Sequence, residues 1–264
     1  MIKNIVIIGA GNVATHLSKA LHDKGFTISG IASARGVSAR ILADKLSVPT
    51  VKLEDIPADT DLVLIATNDS SVEDVAASIP EIHGIVAHTS GSVPLSILSA
   101  HHKHAAVLYP LQTFSKDVSV DVSEVPFFIE ATDKETHENI KSLASAISKR
   151  VHEADSSVRS VLHIAGVFSS NFPICLLQIV KNLLLEVNLP FDTVQPLVEA
   201  TIAKAFDVGP EAAMTGPARR GDIPTIDKQE SKLRGEDFEI YKHITNKILE
   251  CYHPELMKRR RSYE

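Results

Sequence analysis

Apolar runs of strand length alternate with helical patterns through the first half of the chain. Between the runs, apolar residues recur every three or four positions, which is the spacing of an amphipathic helix. The pattern predicts strands over residues 3–8, 26–31, 50–53, 61–66, 84–88, 105–109, 126–131 and 150–153. It predicts helices over residues 12–24, 39–46, 71–79 and 134–149. Such alternation indicates a parallel sheet covered by helices on both faces.

The pattern changes after about residue 155. Residues 159–187, 191–206 and 238–251 all have helical periodicity, and no convincing strand follows. We therefore expect an α/β fold, with a Rossmann-type doubly wound domain at residues 1–155 and an all-helical domain at residues 156–264. The longest apolar stretch, at about residues 161–187, is interrupted by polar residues and a proline, so we interpret it as a buried helix rather than a membrane span.

The composition is typical of a soluble globular protein. Of 264 residues, 44% are hydrophobic and 23% are charged, which supplies enough apolar material for a core. The net charge of -6 argues against a nucleic-acid partner, and we interpret the basic run at residues 258–261 as a solvated tail. Two cysteines do not make a disulfide framework, and the chain starts with a strand rather than a signal peptide. We expect a cytoplasmic protein with no membrane partner.

A glycine-rich turn directly follows the first predicted strand. It has the form G-x-G-x-x-A and opens the first helix. The first glycine permits a tight turn, the second lets the backbone approach a diphosphate, and the alanine allows close packing of helix on strand. The free N–H groups of the helix then face the phosphates. The predicted cofactor-binding residues of this turn are Gly9, Gly11, Asn12, Val13 and Ala14. The alternative is a purely structural turn.

The end of the second strand indicates which dinucleotide is bound. NAD-binding proteins usually carry an acidic residue there, which holds the ribose 2′-hydroxyl group. Residues 31–36 contain no acid but do contain Ser33 and Arg35, and an arginine can bind a 2′-phosphate in a bidentate manner. We therefore predict NADP(H) as the cofactor. Ordinary surface residues on a loop are the alternative interpretation.

Two further polar turns follow predicted strands and are expected to border the cofactor. Ligands of open α/β sheets lie beyond the carboxyl ends of the strands. Thr67 and Asn68 follow the strand at 61–66, and Ser90 follows the strand at 84–88. These three residues complete the predicted cofactor site.

Several of these motifs, in this order along the chain, resemble a known family. They are residues 9–14, 33–35, 88–92, 109–114, 163–171 and 216–222. Together they resemble a bacterial family of Rossmann-like proteins that have a C-terminal domain of unknown function and the general label of NADP oxidoreductases. More distantly, the layout is similar to pyrroline-5-carboxylate reductase, deazaflavin-dependent NADP reductase and the β-hydroxyacid dehydrogenases. The resemblance implies a helical second domain and often a homodimer built through it, but it does not identify the substrate.

The residue that handles the proton departs from the pattern of those relatives. They commonly use a lysine at the start of the first long helix of the second domain, with an asparagine further along the same face. Here no lysine is present, and His163 and Asn171 share a helix face instead. We expect His163 to act as acid and base and Asn171 to orient the substrate, while Gly166 lets the helix approach the nucleotide domain. The alternative is an interface histidine and a satisfied buried asparagine.

His88 is the second candidate for handling the proton, because it ends a strand on the cofactor side. A structural histidine bonded to a neighbouring loop is the alternative. Tyr109 and Gln112 are expected to line the same crevice, with Gln112 as part of the substrate site. The cluster His101-His102-Lys103-His104 lacks Cys or acidic residues at ligand spacing, so no metal site is predicted.

A glycine-hinged loop with paired arginines lies between the later helices. Arg219 and Arg220 suit a carboxylate or phosphate of a substrate, with Asp222 beside them. The alternative is an ion-pair network from the arginines to Asp222 that holds helices or subunits together. We predict an NADP(H)-dependent oxidoreductase of a small polar, anionic metabolite, which forms a homodimer through its C-terminal helices. The rival hypothesis is a non-catalytic NADP-binding redox sensor or partner-binding protein.

Overall fold

A seven-stranded sheet forms the centre of the computed structural model, which describes residues 1–33 and 36–261, with side chains through residue 257. The strand order is β2-β1-β3-β4-β5-β6-β7. The strands are β1 (Asn4–Ile8), β2 (Thr27–Ala32), β3 (Leu62–Ile65), β4 (Ile85–His88), β5 (Ala105–Pro110), β6 (Phe127–Ala131) and β7 (Val151–Glu153). The reversal of order at β1 brings the carboxyl ends of β1, β2 and β3 together, where open α/β sheets bind ligands.

Helices cover both faces of this sheet. They are α1 (Asn12–Asp23), α2 (Val37–Leu46), α3 (Val72–Ser78), α4 (Ser96–Ser99) and α5 (Lys134–Ile147). Alternate residues of each strand enter opposite cores, as strand geometry requires. Ile5 and Ile7 pack in the core that includes α1, α2 and α5, whereas Val6 and Ile8 pack in the core that includes α3 and α4. The predicted doubly wound, Rossmann-type fold is confirmed.

One strand runs against the expected parallel direction. β6 pairs antiparallel with β5, and Tyr109 lies opposite Phe128 in this register. A parallel neighbour needs a long crossover, usually an α-helix, to return the chain to the same edge of the sheet. Residues 111–126 contain only a single turn of 3-10 helix, Val122–Glu124, so the chain enters β6 from the opposite end.

The prediction of a strand over residues 50–53 is wrong, because these residues do not form one. Only Thr50 pairs, through an isolated parallel bridge to Ile31. The chain turns into a short 3-10 helix, Leu53–Asp55, directly afterwards. A single residue pair cannot extend the sheet, so β2 remains its edge strand in the described part of the chain.

The chain divides into two compact units, Met1–Phe172 and Pro173–Glu264. The expected domain boundary after residue 155 follows the end of the last strand, whereas the first unit also includes the helix α6 (Ser156–Ser169). The side chain of Arg159 on α6 is fully buried against that unit. This contact keeps α6 with the sheet.

The described part of the second unit is all helical. Its helices are α7 (Asn171–Glu186), which starts two residues before the division, α8 (Gln195–Val208), α9 (Pro210–Ala213), α10 (Pro217–Arg220), α11 (Ile223–Glu230), α12 (Gly235–Tyr252) and α13 (Pro254–Arg261). A small core of Ala218, Ile226, Leu249 and Met257 holds α10 to α13 together. The predicted helical C-terminal region is confirmed.

The single helix predicted over residues 159–187 is wrong in two respects. It is broken between α6 and α7 at Ser170, because Pro173 has no N–H group and is tolerated only in the first turn of a helix. Its apolar side chains are also exposed rather than buried, with Val161 at 66% and Phe168 at 65%. Taken as one segment, α6 and α7 (Ser156–Glu186) are long and apolar enough to cross a membrane. A single segment of this kind is weak evidence for insertion.

Candidate functional site

The turn between β1 and α1 has the geometry that the glycine motif predicts. Gly9 has a φ of 125°, and a Cβ there would lie 2.2 Å from the carbonyl oxygen of Ala66. Its N–H group donates a hydrogen bond to the carbonyl of Ala32 at 2.7 Å, so the turn is tied to the end of β2 and passes close to the chain that follows β3. Gly11 begins α1 as its N-cap, and a Cβ added to it would have no neighbour within 4 Å. The space beside Gly11 at the start of α1 is therefore open, and a diphosphate bound there would meet the N–H groups of a helix N-terminus.

Other predicted cofactor residues surround this turn. Asn12 is exposed at the start of α1, whereas Val13 is partly buried and Ala14 is fully buried. Thr67 and Asn68 follow β3, and the Asn68 side chain is exposed. The backbone therefore forms the base of this site, and polar side chains form its edge.

The end of β2 carries an unsatisfied hydroxyl group. The Oγ atom of Ser33 is buried and has no hydrogen-bond partner among the described residues. A buried polar atom without a partner is costly, and a phosphate or ribose oxygen at this position would satisfy it. Ser33 thus fits a dinucleotide, while Arg35 lies outside the described residues.

Ser90 is occupied by its own loop. Its hydroxyl oxygen accepts hydrogen bonds from the N–H groups of Ser92 at 3.1 Å and Val93 at 3.0 Å. Ser92 in turn donates to the carboxylate of Asp69, which follows β3. The loop after β4 is thereby tied to the loop after β3. Neither Asp69 nor Ser92 was among the predicted site residues, although both stand in the polar turns that follow β3 and β4.

His163 contacts Tyr109 near the carboxyl end of β5. The Tyr109 hydroxyl lies 3.4 Å from Nδ1 of His163. Gly91 makes this contact possible, because a Cβ there would lie 2.6 Å from Cζ of Tyr109 and 3.0 Å from Nδ1 of His163. Burial raises the pKa of Tyr109, and the negative charge of Asp69 adds to this effect. Tyr109 therefore keeps its proton at neutral pH and presents it beside a histidine.

An open pocket of about 440 Å³ surrounds this pair. The predicted residues His163, Asn171 and Gln112 all line it, together with Tyr109. Gly166 also lines it, and a Cβ at this position would approach Cδ1 of Leu111 to 3.2 Å. The small residue thus permits the close approach of α6 to the segment after β5. A pocket with a tyrosine, a histidine and two amides can bind a polar molecule and exchange a proton with it.

His88 occupies a different place, inside the protein. It is fully buried, and its Nδ1 accepts a hydrogen bond from the N–H group of Ser90 at 3.2 Å. Burial lowers its pKa to about 4, assisted by the positive charge of Arg159. A neutral, buried imidazole that supports the loop after β4 matches the structural interpretation of this residue better than a role in proton transfer.

Arg159 holds α6 onto the sheet, and sequence reasoning gave it no role. Its guanidinium pairs with the Glu130 carboxylate and donates to the carbonyl of Val93 at 2.9 Å and of Ala154 at 3.2 Å. Because Arg159 precedes His163 by four residues, it anchors the helix face that carries the histidine. The sequence did contain a signal for this role, because Arg159 is a lone arginine at the start of an apolar helix.

In the second unit, Arg219 and Asp222 of the predicted arginine loop contact different partners. The Arg219 guanidinium lies 4.2 Å from the ring centre of Tyr252, and Arg220 is exposed. Asp222 caps α11 and accepts hydrogen bonds from the N–H group of Thr225 at 3.2 Å and its hydroxyl at 2.8 Å. The Asp222 carboxylate is thus the N-cap of α11.

The histidine cluster before β5 is divided among structural contacts. Nε2 of His102 bonds to the Ala76 carbonyl at 2.8 Å, and Nδ1 of His104 lies 3.0 Å from the Asp133 carboxylate. Asp133 is itself the N-cap of α5. Within the described residues, no group of three or more His, Cys, Asp or Glu side chains is arranged to hold a metal ion.

Two family models match the chain in succession. A Rossmann-like domain covers residues 2–112, and a domain of unknown function, DUF2520, covers residues 125–248. Comparison with curated protein sequences gives no match.

Solved structures match over nearly the whole length. A Bacteroides fragilis protein, named as a putative NADP oxidoreductase, is 38% identical with a TM-score of 0.86, over 94% of this chain and 98% of its own. The 1-pyrroline-5-carboxylate reductase of Streptococcus pyogenes is 13% identical, with a TM-score of 0.65 over 93% and 97% of the two chains. A reductive aminase of Aspergillus terreus, solved with NADPH and ethyl levulinate, is 12% identical, with a TM-score of 0.71 over 94% of each chain.

The two less identical structures share the fold with this chain. The similarity to the Bacteroides fragilis protein shows more than a shared fold. Its sequence identity of 38% extends over both units and almost the complete length of that protein. The chain therefore belongs to the family of proteins in which a Rossmann-like domain is joined to a C-terminal domain of unknown function, DUF2520.

Proposed function

We propose that this protein is an NADP(H)-dependent oxidoreductase that transfers a hydride between the cofactor and a small polar, anionic metabolite. The Bacteroides fragilis relative is named as a putative NADP oxidoreductase, and the Aspergillus terreus enzyme of the same fold was solved with NADPH. The observation that carries the proposal is the pairing of Tyr109 with His163 in a pocket beyond the carboxyl end of the sheet. That edge of the sheet also carries the glycine turn.

The first part of the proposed mechanism is cofactor binding. The N–H groups at the start of α1 hold the diphosphate, and Gly9 keeps the turn in the shape that exposes them. Ser33 supplies a hydroxyl to the phosphorylated ribose, and Thr67 and Asn68 line the neighbouring edge. The bound nicotinamide supplies or accepts the hydride, which is chemistry that side chains cannot provide.

The second part is proton transfer by the protein itself. In the direction of reduction, the Tyr109 hydroxyl donates its proton to the substrate oxygen or nitrogen atom. His163 is exposed, so its imidazole exchanges protons with water and returns one to Tyr109 across their hydrogen bond. The amides of Asn171 and Gln112 orient the substrate in the same pocket. In the oxidative direction the proton follows the opposite route.

The test is binding followed by turnover. NADPH and NADH are titrated separately by fluorescence, and we expect NADPH to bind at least about ten-fold more tightly, as one charge-assisted contact to the 2′-phosphate would require. Transfer of deuteride from labelled NADPH to a panel of keto acids, imines and deazaflavins then identifies the substrate class. Tight NADPH binding without transfer to any compound would favour the non-catalytic sensor, a hypothesis that the absent lysine supports.

We further propose that two copies of the chain associate through the C-terminal helices. Exposed large apolar side chains are concentrated on α6, α7 and α8, and they include Val161, Phe168, Ile174, Leu185, Leu197 and Phe206. Large apolar side chains exposed in such numbers mark an interaction surface on a soluble protein, and a second copy would cover them. Because a dimer would remove these side chains from water, we propose on the same grounds that the protein is soluble and cytoplasmic.

The oligomeric state is measured by sedimentation velocity. Phe206→Asp places a charge on the side chain that is 90% exposed, and we expect it to shift a dimer toward monomer. Val118→Asp, at an exposed valine far along the chain from these helices, is the matched control and should leave the dimer intact. A monomeric wild-type protein that binds lipid vesicles instead would contradict the dimer and assign the apolar surface to a membrane.

A further inference from the structure

A small crevice lies beside the phosphate-binding turn, between the start of α1 and the helix α2. It is lined by Ala10, Thr15, Ser38, Ile41, Leu42, Lys45 and Lys116. The Thr15 hydroxyl donates to the Gly11 carbonyl at 2.8 Å, which places this residue in the first turn of α1. The described residues that line the crevice include two lysines and no carboxylate. The crevice is therefore a site of concentrated positive charge next to the turn.

Lys116 reaches this crevice from a distant part of the chain. It lies in the segment 111–126, which crosses α1. Phe114 is buried, with 7% of its surface exposed, and its ring stacks on His16 with 4.9 Å between ring centres. The next residue, Ser115, accepts a hydrogen bond from Nε2 of His16 at 2.9 Å through its carbonyl. Two consecutive contacts with α1 thus hold the backbone that presents Lys116.

Lys45 reaches the crevice from α2. Ser38, Leu42 and Lys45 share one face of this helix, because they follow one another at intervals of four and three residues. Leu42 is only 4% exposed and anchors that face against the core. Ser38 lies in the first turn of α2, five residues after the unsatisfied hydroxyl of Ser33.

Neither lysine is neutralised inside the protein. Within residues 1–33 and 36–261, no ion pair involves Lys45 or Lys116, whereas Lys19 on α1 pairs with Asp23. Two lysines without an ion-pair partner border the same crevice, and a bound anion would offset their like charges. A phosphate group is the anion that such a hydroxyl and ammonium set suits.

We propose that Lys45, Lys116 and Ser38 form a binding site for the 2′-phosphate of NADP(H). The inference rests on the proposed function and specifies which residues recognise the cofactor's extra phosphate. A diphosphate would be held by the N–H groups at the start of α1, whereas α2 follows β2, at whose end this class of sheet binds the adenosine ribose. The crevice lies on the α2 side of the turn, so its charge is directed to the ribose phosphate.

Binding measurements test this assignment without a known substrate. The variants are Lys45→Gln, Lys116→Gln and both together, and the matched control is Lys24→Gln, at an exposed lysine after α1 that lies outside the crevice. Dissociation constants are measured by fluorescence for NADPH and NADH, and by displacement for 2′,5′-ADP and 5′-AMP. We expect each crevice variant to weaken NADPH and 2′,5′-ADP binding about ten-fold, the loss of one charge-assisted hydrogen bond. NADH and 5′-AMP should change less than about two-fold, a difference of well under 1 kcal/mol.

Each outcome separates this inference from the proposed function. If wild-type protein prefers NADPH but the crevice variants bind it unchanged, the lysine assignment is overturned while the proposed function stands. Equal weakening of NADPH and NADH would assign the lysines to the diphosphate and also overturn it. A wild-type protein that binds NADPH no better than NADH would overturn both. A control variant as weak as the crevice variants would show an effect of overall charge only, which likewise overturns the lysine assignment.

Discussion

The glycine turn and the Tyr109–His163 pocket lie at the same edge of one sheet but are built from different materials. The turn uses backbone N–H groups, and its shape depends on Gly9, whose Cβ position is blocked by the carbonyl of Ala66. The pocket uses side chains from β5 and α6, and their alignment depends on the buried ion pair of Arg159 with Glu130. Binding of the diphosphate at the turn should therefore tolerate most side-chain changes there, whereas proton transfer in the pocket should be sensitive to single atoms.

The sharpest way to break this contrast is to block the turn. Gly9→Ala combines a strained φ of 125° with a Cβ 2.2 Å from a carbonyl oxygen. We expect a loss of about 4 kcal/mol in the free energy of unfolding, the sum of backbone strain and overpacking, together with loss of NADPH binding. Chemical denaturation and fluorescence titration measure the two effects.

Gly11→Ala is the matched control for the turn. Gly11 has a φ of -78° and open space at its Cβ position. The free energy of unfolding should fall by no more than about 1 kcal/mol, since alanine is a poorer N-cap than glycine, while NADPH binds more weakly because the methyl group would meet the diphosphate. If Gly9→Ala proves as stable as Gly11→Ala, the close approach to Ala66 is not a constraint on the fold.

The pocket is tested by removing one oxygen atom. Tyr109→Phe keeps the ring against Gly91 but deletes the hydroxyl near His163. We expect the rate of hydride transfer to fall about 100-fold, which is typical for the loss of a general acid, with NADPH affinity unchanged. Single-turnover kinetics with the substrate identified from the panel provide the measurement. Tyr252→Phe removes a hydroxyl in the second unit and should leave the rate unchanged. An unchanged rate in Tyr109→Phe would remove this tyrosine from the mechanism.

The support of the pocket is the next target. Arg159→Met removes the ion-pair partner of Glu130, whose side chain is 21% exposed, and leaves its carboxylate only the Ser156 hydroxyl. We expect the free energy of unfolding to fall by about 2.5 kcal/mol, below the range for a fully buried pair. The double variant Arg159→Met, Glu130→Gln should recover part of this loss, because it leaves no unpaired charge. Equal stability of the single and double variants in urea would show that the charge itself is not the cause.

The smallest effect concerns pH. The pKa of His88 is lowered to about 4 in the fold from an unfolded value of 6.5. The unfolded chain therefore binds more protons between these values, and stability is complete above pH 6.5 and falls as the pH drops toward 4. We expect a loss of about 2 kcal/mol between pH 7 and pH 5 from this group. In His88→Asn, whose amide oxygen can accept the Ser90 N–H bond, the pH dependence should be weaker by that amount. An identical pH dependence would mean that His88 is not desolvated.

The contrast between turn and pocket also explains which features of the protein could be predicted from its sequence. The strands of the doubly wound sheet and the G-x-G-x-x-A turn were predicted, because both depend on local patterns of a few consecutive residues. Tyr109 was expected only to line a crevice. Its contact with His163 joins positions 54 residues apart, and no local pattern records such a pairing. The apolar side chains of α6 and α7 were predicted to be buried, but they are exposed in the single chain. Hydropathy indicates that a side chain is apolar, and it does not indicate whether another part of the same chain covers it.

By itself, the sequence determined the alternation of strands and helices, the glycine turn and the absence of an acidic residue at the end of β2. These are properties of neighbouring residues, for which steric and hydrophobic preferences act over one or two turns of chain. Only the tertiary structure decided that β6 runs antiparallel, that His88 is sealed inside while His163 faces the pocket, and that Lys116 reaches the cofactor turn. Those outcomes depend on which distant segments pack together, and packing is a property of the whole folded chain.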